Sequence, residues 1–185
     1  MTLDFLLERT ATPLLRIEPS EPGAEPSAVL AARREVCGRG SMTTRTTLHD
    51  ACMQGQLVIA QTLHSAGASL DATDTNGTTP LHEACGQGHL YVAQWLYSAG
   101  ASLDATDNEG WALLHEACYR GFLDIAWWLH RAGASLNATD KHGRTPLHLA
   151  CEFGELETAD WLCSVGADAT LKANDGNTPA QLLVS

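Results

Sequence analysis

The dipeptide Leu-His occurs at Leu48-His49, Leu81-His82, Leu114-His115 and Leu147-His148, each time 33 residues after the last. Three series of glycines keep the same step: Gly55, Gly88, Gly121, Gly154; Gly67, Gly100, Gly133, Gly166; and Gly77, Gly110, Gly143, Gly176. Cys52, Cys85, Cys118 and Cys151 share it, as do Trp95, Trp128 and Trp161. Residues 75–107 and 108–140 are identical at 19 of 33 positions without a gap. A unit this short cannot bury a core alone, so a chain built this way gains stability only by stacking its units side by side.

Within one unit the spacing predicts two short helices and a turn. In TTPLHEACGQG, Thr79 is placed to cap a helix and Pro80 to open it, where the missing N–H costs nothing. Leu81, Ala84 and Cys85 then make an apolar stripe at i, i+3, i+4. Gly88 interrupts this helix. The stretch HLYVAQWLYSAG resumes with Leu90, Ala93, Trp95 and Leu96 expected inward and Gly100 at a left-handed C-terminal cap. The remainder, ASLDATDNEG, reads as extended chain that turns at Asp107–Gly110. Neither helix is long enough to persist alone in water.

These residues resemble the ankyrin repeat. The family pattern D-x-x-G-x-T-P-L-H-x-A-A-x-x-G-H-L is seen as DTNGTTPLHEACGQGHL (74–90) and DKHGRTPLHLACEFGEL (140–156). The resemblance covers residues 43–185 and implies an all-α repeat solenoid. Its right-handed stack of helix–turn–helix units would carry β-hairpin tips and bind a protein partner through the concave face. Its units would be 43–73, 74–106, 107–139 and 140–172, with a partial unit at 173–185. Three units depart from the pattern. The first has Thr44 for the hairpin Gly and Thr47 for the Pro, as suits a terminal cap. The third has Ala112-Leu113 for Thr-Pro, so its first helix is expected to start less crisply. The last has Ala180-Gln181 for Leu-His and stops after one helix.

Ahead of the array, residues 1–42 form a different region, with Pro13, Pro19, Pro22 and Pro26 in a flexible, Pro-rich tail. Short helices are expected there at 3–7 and 27–36. Charge separates the two regions. Residues 1–45 hold six acidic groups and six Arg, whereas 46–185 hold 16 acidic against 5 basic, the whole of the net charge of -11. Such a field repels phosphate backbones and disfavours nucleic acid as a ligand; it suits a protein partner with a basic surface. No apolar run approaches the ~18 residues needed to cross a bilayer. Asp4 and Glu8 break the apolar stretch at the N-terminus, so no secretory signal is expected. Free thiols without a signal point to a reducing compartment, the cytoplasm or alternatively the nucleus. The expected state is a monomer.

The recurring polar residues admit a chemical reading and a structural one. Each Leu-His histidine lies three residues before a ladder cysteine, a spacing that metal sites also use. Equivalent positions on stacked helices lie about 10 Å apart, however, and a metal needs its ligands within ~2.3 Å. The resemblance instead assigns these imidazoles to hydrogen bonds between adjacent units, with neither metal nor cofactor. The same separation rules out disulfides along the cysteine row, since bridged Cα atoms lie within ~7 Å. The cysteines therefore read as small buried apolar residues. Cys37 and Cys163 stand outside the row. The Trp95–Trp128–Trp161 row is expected in the core, with Trp127 pointing elsewhere. No phosphate loop, nucleophile elbow or Cys-x-x-Cys occurs, and the chain is expected to be non-enzymatic with no catalytic residues. The alternative is a thiol-based regulatory or redox-sensing ankyrin protein. Asn137 resembles the acceptor position for asparaginyl hydroxylation in such repeats, although Ser135 replaces the usual acidic residue before it.

Partner-facing residues are sought at positions that vary while the framework repeats. Carried over from the family, these are Thr75, Asn76, Thr78 and Gln87 in the second unit. The third unit supplies Asn108, Glu109, Trp111, Tyr119 and Arg120, and the fourth Lys141, His142, Arg144, Glu152 and Phe153. Trp, Tyr and Arg dominate interface hot spots, and the third unit carries one of each. Trp111 has no evident core duty, so it is the leading candidate.

Overall fold

The computed structural model describes residues 46–183. The segment 1–42, with the helices expected at 3–7 and 27–36, and also Cys37 and Thr44, lie outside the described residues. Among the described residues the chain forms helix pairs α1 (Thr47–Met53) and α2 (Leu57–Ser65), α3 (Pro80–Gly86) and α4 (Leu90–Ser98), α5 (Leu113–Tyr119) and α6 (Leu123–Arg131), and α7 (Pro146–Glu152) and α8 (Leu156–Ser164). A single turn, α9 (Pro179–Leu182), closes the array.

Local chemistry accounts for the boundaries. Thr79 and Thr145 hold extended backbone just ahead of Pro80 and Pro146, and each hydroxyl accepts from the N–H three residues on. At the other end of the unit Gly100, at φ +106, lets the Ala101 N–H reach back to the Leu96 carbonyl at 3.0 Å. The turns between units close on two backbone bonds, such as Asp107 N–H to Trp111 C=O and Gly110 N–H to Asp107 C=O, both at 3.0 Å, with one isolated antiparallel bridge among the described residues, between Thr106 and Ala112. The tips are thus tight hairpin turns with almost no ladder. Gly77, at φ +78, sits where a Cβ would lie 2.9 Å from the Asn108 backbone nitrogen, so the close approach of one tip to the next demands glycine.

The first helix of the third unit starts in register despite its missing Thr-Pro, contrary to expectation. Ala112 adopts the same extended backbone, and its N–H donates to His115 Nδ1 at 3.1 Å. The imidazole alone supplies the cap that Thr and His share elsewhere.

Leu81, Ala84 and Cys85 are fully buried, and their equivalents Leu114, Ala117, Cys118, Leu147 and Ala150 continue one core through the stack. Each buried Leu contributes about 1.5–3 kcal/mol. From the second helices the core takes Val92, Ala93 and Leu96, with Ile125, Ala126 and Leu129 in the next unit. Leu90 and Trp95 are only half-buried, which corrects the inward set expected for this helix. The tryptophan row is likewise no core row. Trp95, Trp128 and Trp161 lie on the flanks of α4, α6 and α8, and each ring edge meets an aromatic of the preceding unit. The pairs are His64–Trp95, Tyr97–Trp128 and His130–Trp161, with centroids 6.0, 6.0 and 5.9 Å apart. Each indole thus bridges neighbouring helices, packed against the core from the side instead of within it.

The first helices α1, α3, α5, α7 and α9 pack against one another far more extensively than α2, α4, α6 and α8 do.

Candidate functional site

The four repeated histidines tie the stack together. Each Nδ1 accepts a backbone N–H at the start of its own helix: Thr46 and Thr79 at 3.3 Å, Ala112 and Thr145 at 3.1 Å. With Nδ1 so occupied, the proton sits on Nε2, which donates to a carbonyl of the next unit. His49 reaches Thr78 at 2.9 Å, His82 reaches Trp111 at 3.2 Å, His115 reaches Arg144 at 3.1 Å and His148 reaches Asn177 at 3.2 Å. Burial lowers the pKa of His82 and His115 below the ordinary imidazole value, and the accepted carbonyl bonds only partly offset it. With both ring nitrogens committed to backbone groups, all four imidazoles are framework groups. Among the described residues no group of three or more His, Cys, Asp or Glu is placed to hold a metal ion.

The cysteines Cys52, Cys85, Cys118 and Cys151 are buried beside them, and Cys163 is exposed. Burial pushes the Cys52 thiol up to about 12 and Cys151 to about 11, with neighbouring negative charge adding to both. It raises Cys85 and Cys118 as well. A thiol held protonated in this way is a poor nucleophile.

Beside the first helices, the third and fourth units assemble an aromatic cluster from residues far apart in sequence. Trp111 packs edge-on to Tyr119 with centroids 5.3 Å apart, and Tyr119 packs edge-on to Phe153 across the unit boundary at 4.4 Å. Trp111 also stacks on His115 at 6.5 Å. Guanidinium groups flank the rings: Arg120 lies 5.2 Å from the Tyr119 ring centre and Arg144 5.9 Å from that of Trp111. Phe153 remains 48% exposed, whereas Trp111 and Tyr119 are half-buried. Large rings with one free face, held rigidly by neighbours, form a preorganised contact surface.

Arg144 is fixed by acids on two sides. Its Nε donates to Asp140 Oδ2 at 2.9 Å and its Nη1 to Glu152 Oε2 at 3.2 Å. Burial alone would raise the Asp140 carboxyl, but the backbone N–H and guanidinium of Arg144 outweigh it and hold it below the usual carboxylate range. Beside this pair, His142, Arg144 and Glu152 line a pocket of about 510 Å³ that continues to Asn174 and Leu182. Glu116, which sequence reasoning missed, faces inward between the second and third units near Arg120 at 3.6 Å, and burial raises its pKa.

The remaining expected contact residues do not join this cluster. Thr75, Asn76 and Gln87 are exposed on the second unit. Asn108 spends its side chain within the stack, since its Nδ2 donates to the Thr75 carbonyl at 2.9 Å and its backbone N–H to that of Asn76 at 2.8 Å. The Lys141 N–H likewise donates to the Glu109 carbonyl at 2.9 Å, leaving both side chains outward. Glu109 lies 3.8 Å from His142. Asn137 is exposed, and its Oδ1 accepts the Asp168 N–H at 2.9 Å, as Asp71 accepts that of Ser102.

No helix among the described residues is long and apolar enough to cross a membrane. A family model described as ankyrin repeats in three copies matches residues 29–107 and 99–173, well over half of the chain. No curated protein matches.

Proposed function

Because this chain belongs to the ankyrin repeat family, we propose that it is a non-enzymatic adaptor whose third and fourth units bind a protein partner on the concave side. Ankyrin repeats are in general protein–protein interaction modules. The observation that carries the reading is the Trp111–Tyr119–Phe153 cluster with Arg120 and Arg144 at its edges. These are the residue types that supply most interface energy, and here they are contiguous, partly exposed and rigid. Residues 43–185 form the binding array in this reading, and it acts as a monomer in the cytoplasm or nucleus. The excess of carboxylates over the array, 16 acidic against 5 basic residues in 46–185, favours a basic partner surface. Thr75, Asn76, Gln87, Asn108, Glu109, Lys141 and His142 form the polar rim. Asn137 is proposed as the hydroxylation position on the opposite edge of the unit. The thiol-sensing alternative finds less support, because the ladder thiols are buried and their pKa values are raised.

Affinity capture with wild type, Trp111→Ala and Tyr119→Ala in parallel tests the site. Each substitution should weaken the captured partner by about tenfold or more, as expected for loss of a hot-spot aromatic, while urea unfolding stays cooperative. Unchanged affinity in both would move the site elsewhere.

A further inference from the structure

The second helices carry a separate apolar surface. Trp127 stands where the other units place Gln61, Gln94 and Asp160, so no framework requirement of the repeat accounts for an indole there. It is 49% exposed, with Arg131 stacked 4.8 Å from its ring centre. Around it α4, α6 and α8 enclose a groove of about 670 Å³ walled by Phe122, Trp127, Trp128 and Trp161. Asp124 and Glu157, equivalent positions 33 residues apart on α6 and α8, add two carboxylates to its lining. On α4 and α8, Tyr91 and Leu156 are also exposed, at 79% and 59%. An exposed indole beside two partly buried ones on a water-facing surface marks an interaction site more often than a structural one.

The walls limit what fits. A helix surface has its backbone groups paired internally, so a partner's main chain finds no strand edge to bond, and contact must come through side chains. Three helices spaced about 10 Å apart span about 20 Å, matched by a partner helix of about 14 residues. Charge selects among helices. Arg131 covers one face of the Trp127 ring, the other lining residues include no Lys or Arg, and Asp124 and Glu157 attract cations. A second copy of this chain would set those carboxylates against their own kind, and phosphate-bearing surfaces are repelled in the same way. Lysine and arginine, in contrast, pair with the carboxylates and stack on indole faces.

We propose that the groove between α4, α6 and α8, centred on Trp127, is a second docking site that takes a basic amphipathic helix of a protein partner. Its apolar side seats between the indoles, and its Lys or Arg side chains meet Asp124 and Glu157. This site is independent of the concave cluster and survives if that reading fails.

The probe is an 18-residue helical peptide of Leu and Lys, paired with a Leu/Glu peptide of the same apolar pattern. Binding is followed by calorimetry and by the indole N–H resonances of the full chain. The Leu/Lys peptide should bind and shift the Trp127 and Trp161 signals. Trp127→Gln, which restores the residue that α4 carries at this position, should weaken it at least tenfold. The double reversal Asp124→Lys/Glu157→Lys should do the same and admit the Leu/Glu peptide. Trp111→Ala should leave all of this unchanged. The proposal is overturned if Trp127→Gln binds the Leu/Lys peptide as well as wild type, or if both peptides bind wild type equally. It is also overturned if the chain forms a dimer that Trp127→Gln dissolves, which would make a second copy the occupant.

Discussion

His115 offers the sharpest test of how the units are joined, because it caps its own helix unaided and also bonds the next unit. In His115→Ala the Ala112 N–H loses its acceptor at 3.1 Å, with no threonine hydroxyl beside it. That partly buried donor costs about 1 kcal/mol, at the low end for an unmet amide. The Arg144 carbonyl loses the Nε2 donor but keeps the Asp140 N–H at 3.0 Å, so its loss is also about 1 kcal/mol. Removing a fully buried ring that supports Trp111 adds about 1–2 kcal/mol of lost packing. The expected total is about 3–4 kcal/mol, a large share of the 5–15 kcal/mol typical of a domain. His115→Gln separates the contributions. At the array end Gln181 Oε1 accepts the Thr178 N–H at 2.8 Å, so glutamine restores the cap, and the variant should recover about 1 kcal/mol. Urea unfolding with wild type, both variants and His82→Ala measures these differences. His82→Ala should cost a similar amount, because it leaves the buried Thr79 N–H without its Nδ1 acceptor and also removes the partner of the Thr79 hydroxyl. A His115→Ala loss below about 1 kcal/mol, or no recovery in the glutamine variant, would refute the view that these imidazoles join the stack.

Two further predictions follow from burial. Native protein treated with iodoacetamide should label Cys163 and leave Cys52, Cys85, Cys118 and Cys151 unmodified until urea is added, as peptide mass mapping would show; labelling of any of those four in native protein contradicts their burial. Stability should also fall on both sides of neutrality. Folded His82 and His115 titrate below 6.5, so below that pH the unfolded chain takes up protons that the fold refuses. Each costs up to about 1.4 kcal/mol per pH unit. Glu116, raised from 4.5, works the other way and offsets part of the loss. Above about 9 the unfolded thiols ionise while Cys52 and Cys151 stay protonated to about 12 and 11, so stability declines again. Urea midpoints at pH 7.5 and 5.0 that coincide would contradict the acid limb.

What the amino-acid order alone determined is the architecture. A strict 33-residue recurrence with Gly, Thr-Pro and Leu-His in register leaves stacking as the only way to bury each apolar stripe, and the first-helix stripe and the Thr-Pro helix starts could be read directly, whereas the imidazole role came from the family resemblance. Tyr119, Trp111 and Phe153 were legible as variable positions, but not as one contact surface. Tertiary structure alone decided that Asn108 is spent on the neighbouring tip, that Glu116 faces inward, and that the indoles of Trp95, Trp128 and Trp161 lie at the rim instead of the core. It also decided that Trp127 helps to wall a groove. The reason is physical. A period specifies which residues are equivalent, whereas exposure depends on the width of the gap between neighbouring helices. That width is set by the side chains of two units at once, and no single unit contains it.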